Sequence, residues 1–312
     1  MSFPIDAVIT WVDGSDPAHA AKLRAYGDKN KFMLNDVAGT TRYANNGEIY
    51  RCVASIRKFA PFVRTIFIVT DGQDPHIPEG NIPVKIIDHK EIFRGYEQYL
   101  PVFNSIAIET MTWRIPGLAE HYIKFNDDLL LSEPTTREDF FEADGKAVCY
   151  TKKYSIQYVL IREWWRKKDE QGHKRITFKW SMTRGAKLAG ARMFMLKIYH
   201  TPQPLNRLFF EQWFSAHPEW MELNISFRFR DAKQFTSEEA FYYTMWRKGQ
   251  LVLRKGKDYM YYLEPRPEKE YMIRRLNELQ SGTRKFCCFN SLDKATEADR
   301  KTIMDWMDAI TA

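Results

Sequence analysis

Short hydrophobic runs that end in acidic or amide residues recur in the first half of the chain. These runs and their ends are Ile5–Val12 before Asp13–Pro17, Ile66–Thr70 before Asp71–Pro75, and Tyr122–Phe125 before Asn126–Asp128. Each run has the length of a short strand, and the first two end in Asp-Gly-x-Asp-Pro turns. Ligands of open α/β sheets bind outside the carboxyl ends of the strands, so the pattern predicts a ligand site at this edge.

The segments between these strands contain patterns that predict helices and one further strand. Ile49, Cys52, Val53, Ile56 and Ala60 follow the i, i+3, i+4, i+7 spacing of one buried helix face, which Asn46 is placed to cap and Pro61 ends. Val84–Asp88 is predicted as a further strand and Ser105–Arg114 as a further helix. The alternation indicates βαβ units and hence a Rossmann-like α/β fold, with a mainly parallel sheet and flanking helices.

The second half of the chain differs from the first in composition. Residues 152–192 are rich in aromatic and basic residues and are predicted to be an insertion. Helices are predicted over 205–216, from a Thr236–Glu239 capping box to about Gly249, and over 298–309, where Ile303, Trp306, Met307 and Ile310 share a face. We predict a single catalytic domain over 1–312, with a nucleotide-sugar half at 1–145, the basic insertion at 146–195, and a second half at 196–312.

Charge is concentrated in one segment. The 312 residues are 44% hydrophobic and 15% aromatic with a formal net charge of +7, while residues 152–192 alone carry +9. An anionic partner is therefore expected to meet this segment. The four cysteines have neither zinc-ligand nor disulfide-framework spacing, and no apolar run approaches a membrane span, so a cytoplasmic protein is expected.

Three groups of residues have chemistry that a ligand site would use. Asp127 and Asp128 at a strand end can hold a divalent cation that bridges phosphates, although Asn-Asp-Asp is equally a turn sequence. His200, between a tyrosine and two prolines, is a candidate general base toward a hydroxyl or else a surface histidine. Arg228 and Arg230, if they lie on a strand, share one face and can clamp a phosphate or remain exposed to solvent.

No nucleotide-binding GxxxxGK[ST] or GxGxxG, no GxSxG and no HExxH motif occurs. The chain instead resembles the Stealth family of sugar-1-phosphate transferases, which includes bacterial capsule polymerases and N-acetylglucosamine-1-phosphotransferase. The resemblance is carried by 5–17, 42–48, 55–73, 100–104, 107–109, 114–118 and 122–128, more weakly by 200–230, and by a trace at 286–290. It departs from the family pattern at Ala54 and at Ser291.

The resemblance implies transfer of sugar-1-phosphate from a nucleotide-diphosphate sugar, with a uridine donor expected first, to a glycan hydroxyl in capsule or cell-surface polysaccharide synthesis. A nucleoside monophosphate would be released. By position, the resemblance implies catalytic roles for Glu109, Asp128, His200 and Arg230. Substrate-binding roles are expected for Asp13, Arg42, Asn104, Asp127, Asn290 and Arg228. Mg²⁺, with Mn²⁺ as the alternative ion, is expected on Asp127 and Asp128.

Two other functions are compatible with parts of the sequence. A metal-dependent glycosyltransferase also uses paired aspartates and a nucleotide-sugar, but releases a nucleoside diphosphate. A basic polyanion-binding module would use residues 152–192, but the strand-end carboxylates repel nucleic acid, so no nucleic-acid partner is expected. Within the transferase interpretation, 152–192 is an exposed surface, a groove for an anionic acceptor chain, or a peripheral contact with the inner face of the plasma membrane.

Overall fold

The computed structural model describes residues 3–27, 47–166, 177–256, 260–263 and 270–312. The strands are β1 (Ile5–Thr10), β2 (Val63–Thr70), β3 (Val84–Asp88), β4 (His121–Asn126), β5 (Leu129–Leu131), β6 (Ala147–Ser155), β7 (Phe194–Ile198), β8 (Gln203–Asn206), β9 (Leu251–Arg254), β10 (Met260–Leu263) and β11 (Phe286–Phe289). The helices are α1 (Pro17–Gly27), α2 (Glu48–Phe59), α3 (His89–Ile92), α4 (Ser105–Met111), α5 (Ile156–Trp165), α6 (Phe178–Leu188), α7 (Arg207–Ala216), α8 (Pro218–Ile225), α9 (Ser237–Arg247), α10 (Tyr271–Gln280) and α11 (Glu297–Thr311).

The largest sheet has the strand order β3-β2-β1-β4-β8. Its first four strands are parallel, and β8 joins the edge antiparallel to β4. β1 is buried along five of its six residues because it lies in the middle of the sheet and is covered on both faces. The predicted Rossmann-like, mainly parallel α/β fold is confirmed.

The strand order reverses between β1 and β4. Chain order runs outward from β1 through β2 to β3, and the next strand, β4, then returns to the other side of β1. A crevice forms outside the carboxyl ends of two strands at such a switch point, since their connections leave on opposite sides. Thr10 and Asn126 are register partners at these two ends, so the crevice opens directly above them.

Two smaller sheets complete the strand pairing. One has the order β10-β11-β5 and packs with α10 and α11 around a second hydrophobic cluster, and the other has the order β7-β6-β9. β11 runs antiparallel to β5, and the amide of Phe289 donates to the carbonyl of Asp128 at 3.0 Å. This pairing brings Asn290 and Ser291 to the crevice.

Several local predictions are confirmed. All five apolar positions predicted for the α2 face are at most 1% exposed, and Ile303, Trp306 and Met307 on α11 are buried. Gly47 rather than Asn46 occupies the N-cap of α2, and Asn46 lies outside the described residues. All four cysteines are buried free thiols. Within the described ranges, the helices are too short or too polar to cross a bilayer.

Two predictions about the second half are wrong. Residues 225–230 are not a strand: α8 ends at Ile225, and the following residues form an irregular turn, so Arg228 and Arg230 do not share a strand face. The Thr236–Glu239 capping box does not form, although α9 begins there. The carboxylate of Glu239 instead accepts the amide of Leu196 on β7 at 2.8 Å, because that buried N–H needs an acceptor.

Candidate active site

A cavity of about 290 Å³ lies at the switch point, outside the carboxyl ends of β1 and β4. Its lining has polar residues on several elements and an apolar floor that includes Trp11, Val69 and Phe289. The polar members are Thr10, His19, Glu48, His89, Asn104, Ser105, Glu109, Asn126, Asp127, Asp128, Arg230, Asn290 and Ser291. Six residues predicted for the site therefore meet here: Asn104, Glu109, Asp127, Asp128, Arg230 and Asn290.

Asp127 and Asp128 follow β4 and form the acidic side of this cavity. Burial raises the pKa of Asp127, and the neighbouring charges of Asp128 and Glu48 raise it further. Burial also raises the pKa of Asp128, against the opposing effect of His200. Such shifts mean that the ionised pair lacks sufficient positive compensation from the protein around it.

The carboxylate of Asp128 is only partly satisfied. One oxygen, Oδ2, accepts the thiol of Cys288 at 3.4 Å, and the other, Oδ1, is buried without a hydrogen-bond partner in the described part of the chain. No group of three or more His, Cys, Asp or Glu side chains with metal-ligand geometry occurs among the described residues. Two carboxylates suit Mg²⁺ nevertheless, because this ion commonly takes one or two protein carboxylates and completes its shell with phosphate and water.

Glu109 belongs to a buried ion cluster with Lys124 and Glu238. Lys124 on β4 places Nζ 2.9 Å from Oε2 of Glu109 and 2.6 Å from Oε1 of Glu238, and all three side chains are at most 8% exposed. Burial raises the pKa of Glu109 to about 7, with Lys124 opposing and Glu238 adding to the shift. Burial also acts against ionisation of Glu238, but Lys124 outweighs it and lowers that pKa. One lysine thus keeps Glu238 ionised and leaves Glu109 able to exchange a proton near neutral pH.

Arg230 reaches the cavity from the turn after α8. Its Nη2 donates to the hydroxyl of Ser105 at 2.8 Å, at the start of α4. Asn104, the N-cap of α4, donates its side-chain amide to the carbonyls of Phe227 and Phe229 and to Gln234 Oε1. Asn104 therefore holds the turn that carries Arg230 and caps α4 with the same side chain.

His200 lies at the same edge of the sheet, although it does not line the cavity. Because β8 runs antiparallel to β4, the residues that precede β8 lie beside the carboxyl end of β4. Reduced solvation lowers the pKa of His200, and the nearby carboxylate of Asp128 acts to raise it. The net lowering leaves the imidazole mainly neutral at pH 7, the form that can accept a proton.

Comparison with known proteins identifies the family. The models of Stealth protein conserved regions 1 and 2 match residues 3–31 and 42–149. A capsular polysaccharide phosphotransferase of Haemophilus influenzae, fcs1, is 30% identical over 292 residues, which cover 91% of this chain and 77% of that protein. The chain belongs to the Stealth family. It is an enzyme, a transferase, and the resemblance carried by its motifs is confirmed.

Other relatives match this Stealth chain over about half its length. The capsular polysaccharide phosphotransferase LcbA of Neisseria meningitidis is 42% identical over 51% of this chain and 44% of its own. An exopolysaccharide phosphotransferase of Streptomyces coelicolor is 38% identical over 52% of this chain and 30% of its own. The matched part of this Stealth chain thus corresponds to less than half the length of these two relatives.

Among solved structures, the galactosyltransferase LgtC covers 98% of this Stealth chain, with 11% identity and a TM-score of 0.45. A likeness of that size carries no information about chemistry.

Besides His200, two predicted site residues, Asp13 and Arg228, lie outside the cavity lining of this Stealth protein. Asp13 accepts the amide and hydroxyl of Ser15, and its backbone exchanges two hydrogen bonds with the Gln73 side chain, so the two Asp-Gly-x-Asp-Pro turns are joined. Arg228 lies over the Tyr26 ring at 4.6 Å and donates to the carbonyl of Leu100. Arg42 lies outside the described residues.

Asp71, at the end of β2, contacts two basic side chains of α1. His19 Nδ1 lies 3.4 Å and Lys22 Nζ 3.0 Å from its Oδ2. Burial acts to raise the pKa of Asp71, but hydrogen bonds from His19 and Lys22 lower it on balance. Burial lowers the pKa of the neighbouring His89 to about 4, so His89 is a neutral imidazole of the cavity wall.

Sequence reasoning did not single out Glu48, His19, His89, Lys124 or Glu238. Glu48, the first residue of α2, lies in the cavity wall and its charge acts on both aspartates. A signal for Lys124 existed, since a lysine amid the apolar residues of a central strand requires a buried partner. One of its two partners, Glu238, lies 114 positions away along the chain and could not be identified from local sequence.

Proposed function

We propose that this enzyme transfers sugar-1-phosphate from a nucleotide-diphosphate sugar to a hydroxyl of a glycan or polysaccharide, in capsule or cell-surface polysaccharide synthesis. One observation carries the proposal: two adjacent carboxylates and an arginine line one cavity at the switch point of a Stealth-family fold. Phosphoryl transfer depends chiefly on positioning and on compensation of charge, which these groups supply.

In the proposed reaction, the acceptor hydroxyl oxygen attacks the phosphorus that bears the sugar. The bond from this phosphorus to the bridging oxygen of the diphosphate breaks, and the nucleoside monophosphate leaves with that oxygen. The hydroxyl proton passes to the neutral imidazole of His200. Arg230 stabilises the negative charge on the transferring phosphoryl oxygens, held in place by Ser105 and by the turn that Asn104 anchors.

Asp127 and Asp128 would hold Mg²⁺, which when bound offsets the charge of the diphosphate. The partly unsatisfied Asp128 carboxylate and the raised pKa values of both groups favour this assignment. Glu109, with a pKa of about 7, would accept or donate a hydrogen bond at a sugar hydroxyl in the cavity. The ion pair with Lys124 fixes its orientation.

The released nucleotide distinguishes this function from glycosyl transfer. We expect incubation with a panel of nucleotide-sugars, Mg²⁺ and a glycan acceptor to release a nucleoside monophosphate, with a uridine diphosphate sugar as the first donor to test. Chromatography of the nucleotides measures this directly. Release of a nucleoside diphosphate would contradict the proposal and indicate a glycosyltransferase.

Replacement of His200 tests its role as the base. His200→Gln is expected to lower transfer by about 10²-fold or more, the contribution typical of a general base, with little change in donor affinity. The pKa of His200 is lowered from its ordinary value of 6.5. Wild-type kcat/KM should therefore fall only at a pH below 6.5, where the imidazole becomes protonated. Initial rates across pH, with donor binding measured separately, check both points.

The matched control is His217→Gln, which changes a partly exposed histidine at the start of α8. Full activity of His200→Gln, with the same acidic fall in rate as the wild type, would assign the base to Asp128 instead.

A further inference from the structure

The β7-β6-β9 sheet places like charges directly opposite each other beside the candidate active site. Lys152 on β6 and Lys197 on β7 are register partners across the antiparallel pair. Like charges at such positions destabilise a sheet unless an anion lies between them. Neither lysine forms an ion pair with a carboxylate among the described residues, so that part of the chain does not compensate this charge.

A third lysine reaches the same place from a different element. Lys179, in the first turn of α6, has Nζ 5.5 Å from the centroid of the Tyr154 ring, and Lys197 Nζ lies 5.8 Å from it. A cation in the first turn of a helix opposes the helix dipole, which favours anions there. Burial and the charges of Lys179 and Lys152 lower the pKa of Lys197, as expected for crowded cations.

Aromatic and cationic side chains continue from this cluster along α5. The ring of Tyr154 meets that of Tyr158 edge-on at 5.8 Å, and the Arg162 guanidinium lies 5.8 Å from the Tyr158 centroid. Tyr158 is 49% exposed, so a ligand can reach the ring. We call this surface the basic track, and its members are Lys152, Tyr154, Tyr158, Arg162, Lys179 and Lys197.

The basic track begins near His200, the proposed base. Lys197 precedes His200 by three residues, which limits their Cα separation to about 10 Å. The charge of Lys197 also acts on the imidazole of His200. An acceptor whose hydroxyl lies at His200 would therefore extend its next units over the three lysines and then over Tyr158.

We propose that the basic track binds the acceptor as a polyanion: a glycan chain whose sugars are joined by phosphodiesters, with phosphates on the lysines and Arg162 and a sugar ring against Tyr158. This proposal rests on the proposed function, whose product carries a sugar joined through a phosphodiester. The alternation of cations and a ring matches a repeat of one anion and one sugar. Ammonium groups suit single phosphate charges, and a tyrosine ring offers an apolar face to a sugar.

The double variant Lys152→Gln/Lys179→Gln tests the proposal. The probes are an oligomer of N-acetylglucosamine units joined by phosphodiesters and a chitooligosaccharide with the same number of sugars. We expect the ratio of kcat/KM for the charged over the neutral acceptor to fall about tenfold in the variant. In the wild type this ratio should decline with added NaCl, since exposed charges are screened.

Two further variants separate charge from shape. Lys187→Gln/Lys248→Gln removes the same charge from exposed positions outside the basic track and should leave the ratio unchanged. Tyr158→Ala should weaken both acceptors alike, because the ring meets a sugar rather than a phosphate. Urea unfolding verifies that each variant is folded. An unchanged acceptor ratio in folded Lys152→Gln/Lys179→Gln overturns the proposal.

Direct binding separates this inference from the proposed function. The wild type could release no nucleoside monophosphate and still bind the phosphodiester oligomer more tightly than the chitooligosaccharide. If the double variant then loses that preference, the basic track binds a polyanion although the proposed reaction is wrong. If the double variant instead loses co-sedimentation with phosphatidylglycerol vesicles and keeps its acceptor ratio, the surface is a membrane contact and the proposal is overturned.

Discussion

Asp128→Asn is expected to lower transfer by about 10²- to 10³-fold, the loss typical when a group that stabilises developing charge is removed. The free energy of unfolding should not fall. Burial raises the pKa of Asp128 because the ionised form is poorly compensated, and a neutral amide of the same shape removes that cost. Activity assays and urea unfolding of the same preparation test both halves of this expectation.

Thermal unfolding with Mg²⁺ adds a measurement that does not depend on turnover. Mg²⁺ at ten times its dissociation constant should stabilise the wild type by about 1.4 kcal/mol. Asp128→Asn should lose most of this effect. Asp144→Asn, a change at an exposed carboxylate that pairs with Lys146, serves as the control and should keep both activity and the response to Mg²⁺. Equal Mg²⁺ responses in wild type and Asp128→Asn would contradict the metal assignment.

Lys124→Met should have the largest effect on stability, a loss of about 3–5 kcal/mol in the free energy of unfolding. The substitution leaves Glu109 and Glu238 buried together without their shared cation. Both pKa values should then rise, because burial and mutual repulsion act unopposed. Urea unfolding at pH 5 and pH 8 measures the effect. The destabilisation should be larger at pH 8, because both carboxyls are then ionised in the unfolded chain but are buried without their cation in the folded variant.

The double variant Lys124→Met/Glu238→Gln separates the ion cluster from simple loss of packing. Removing one of the two carboxylates relieves the repulsion, so the double variant should recover part of the stability that Lys124→Met loses. If Lys124→Met costs less than about 1 kcal/mol, or if its cost does not depend on pH, the three groups do not act as a buried ion cluster.

The elements that frame the site could be predicted from local sequence. β1, β2 and β4 are short apolar runs that end in turn-forming carboxylates or amides, and the period of α2 marks its buried face. Because parallel strands bring their carboxyl ends to one edge, the position of Asp127 and Asp128 followed from the order of elements alone.

The supports of the site could not be predicted, because they depend on distant partners. Glu238 reaches Lys124 across 114 positions, and Asn104 contacts the carbonyl of Phe229 across 125. The alternating sequence around Arg228 and Arg230 indicated a strand, but Asn104 binds this backbone as a turn. Glu239 matched a capping pattern, yet a strand amide over 40 positions away uses its carboxylate.

The position of bond cleavage tests the central claim most directly. A donor would be prepared with ¹⁸O in the bridge between the anomeric carbon and the phosphorus that bears the sugar. If the acceptor attacks phosphorus, mass spectrometry should find the label in the phosphodiester product and an unlabelled nucleoside monophosphate beside it. Label in a released nucleoside diphosphate would show attack at carbon and would contradict the account.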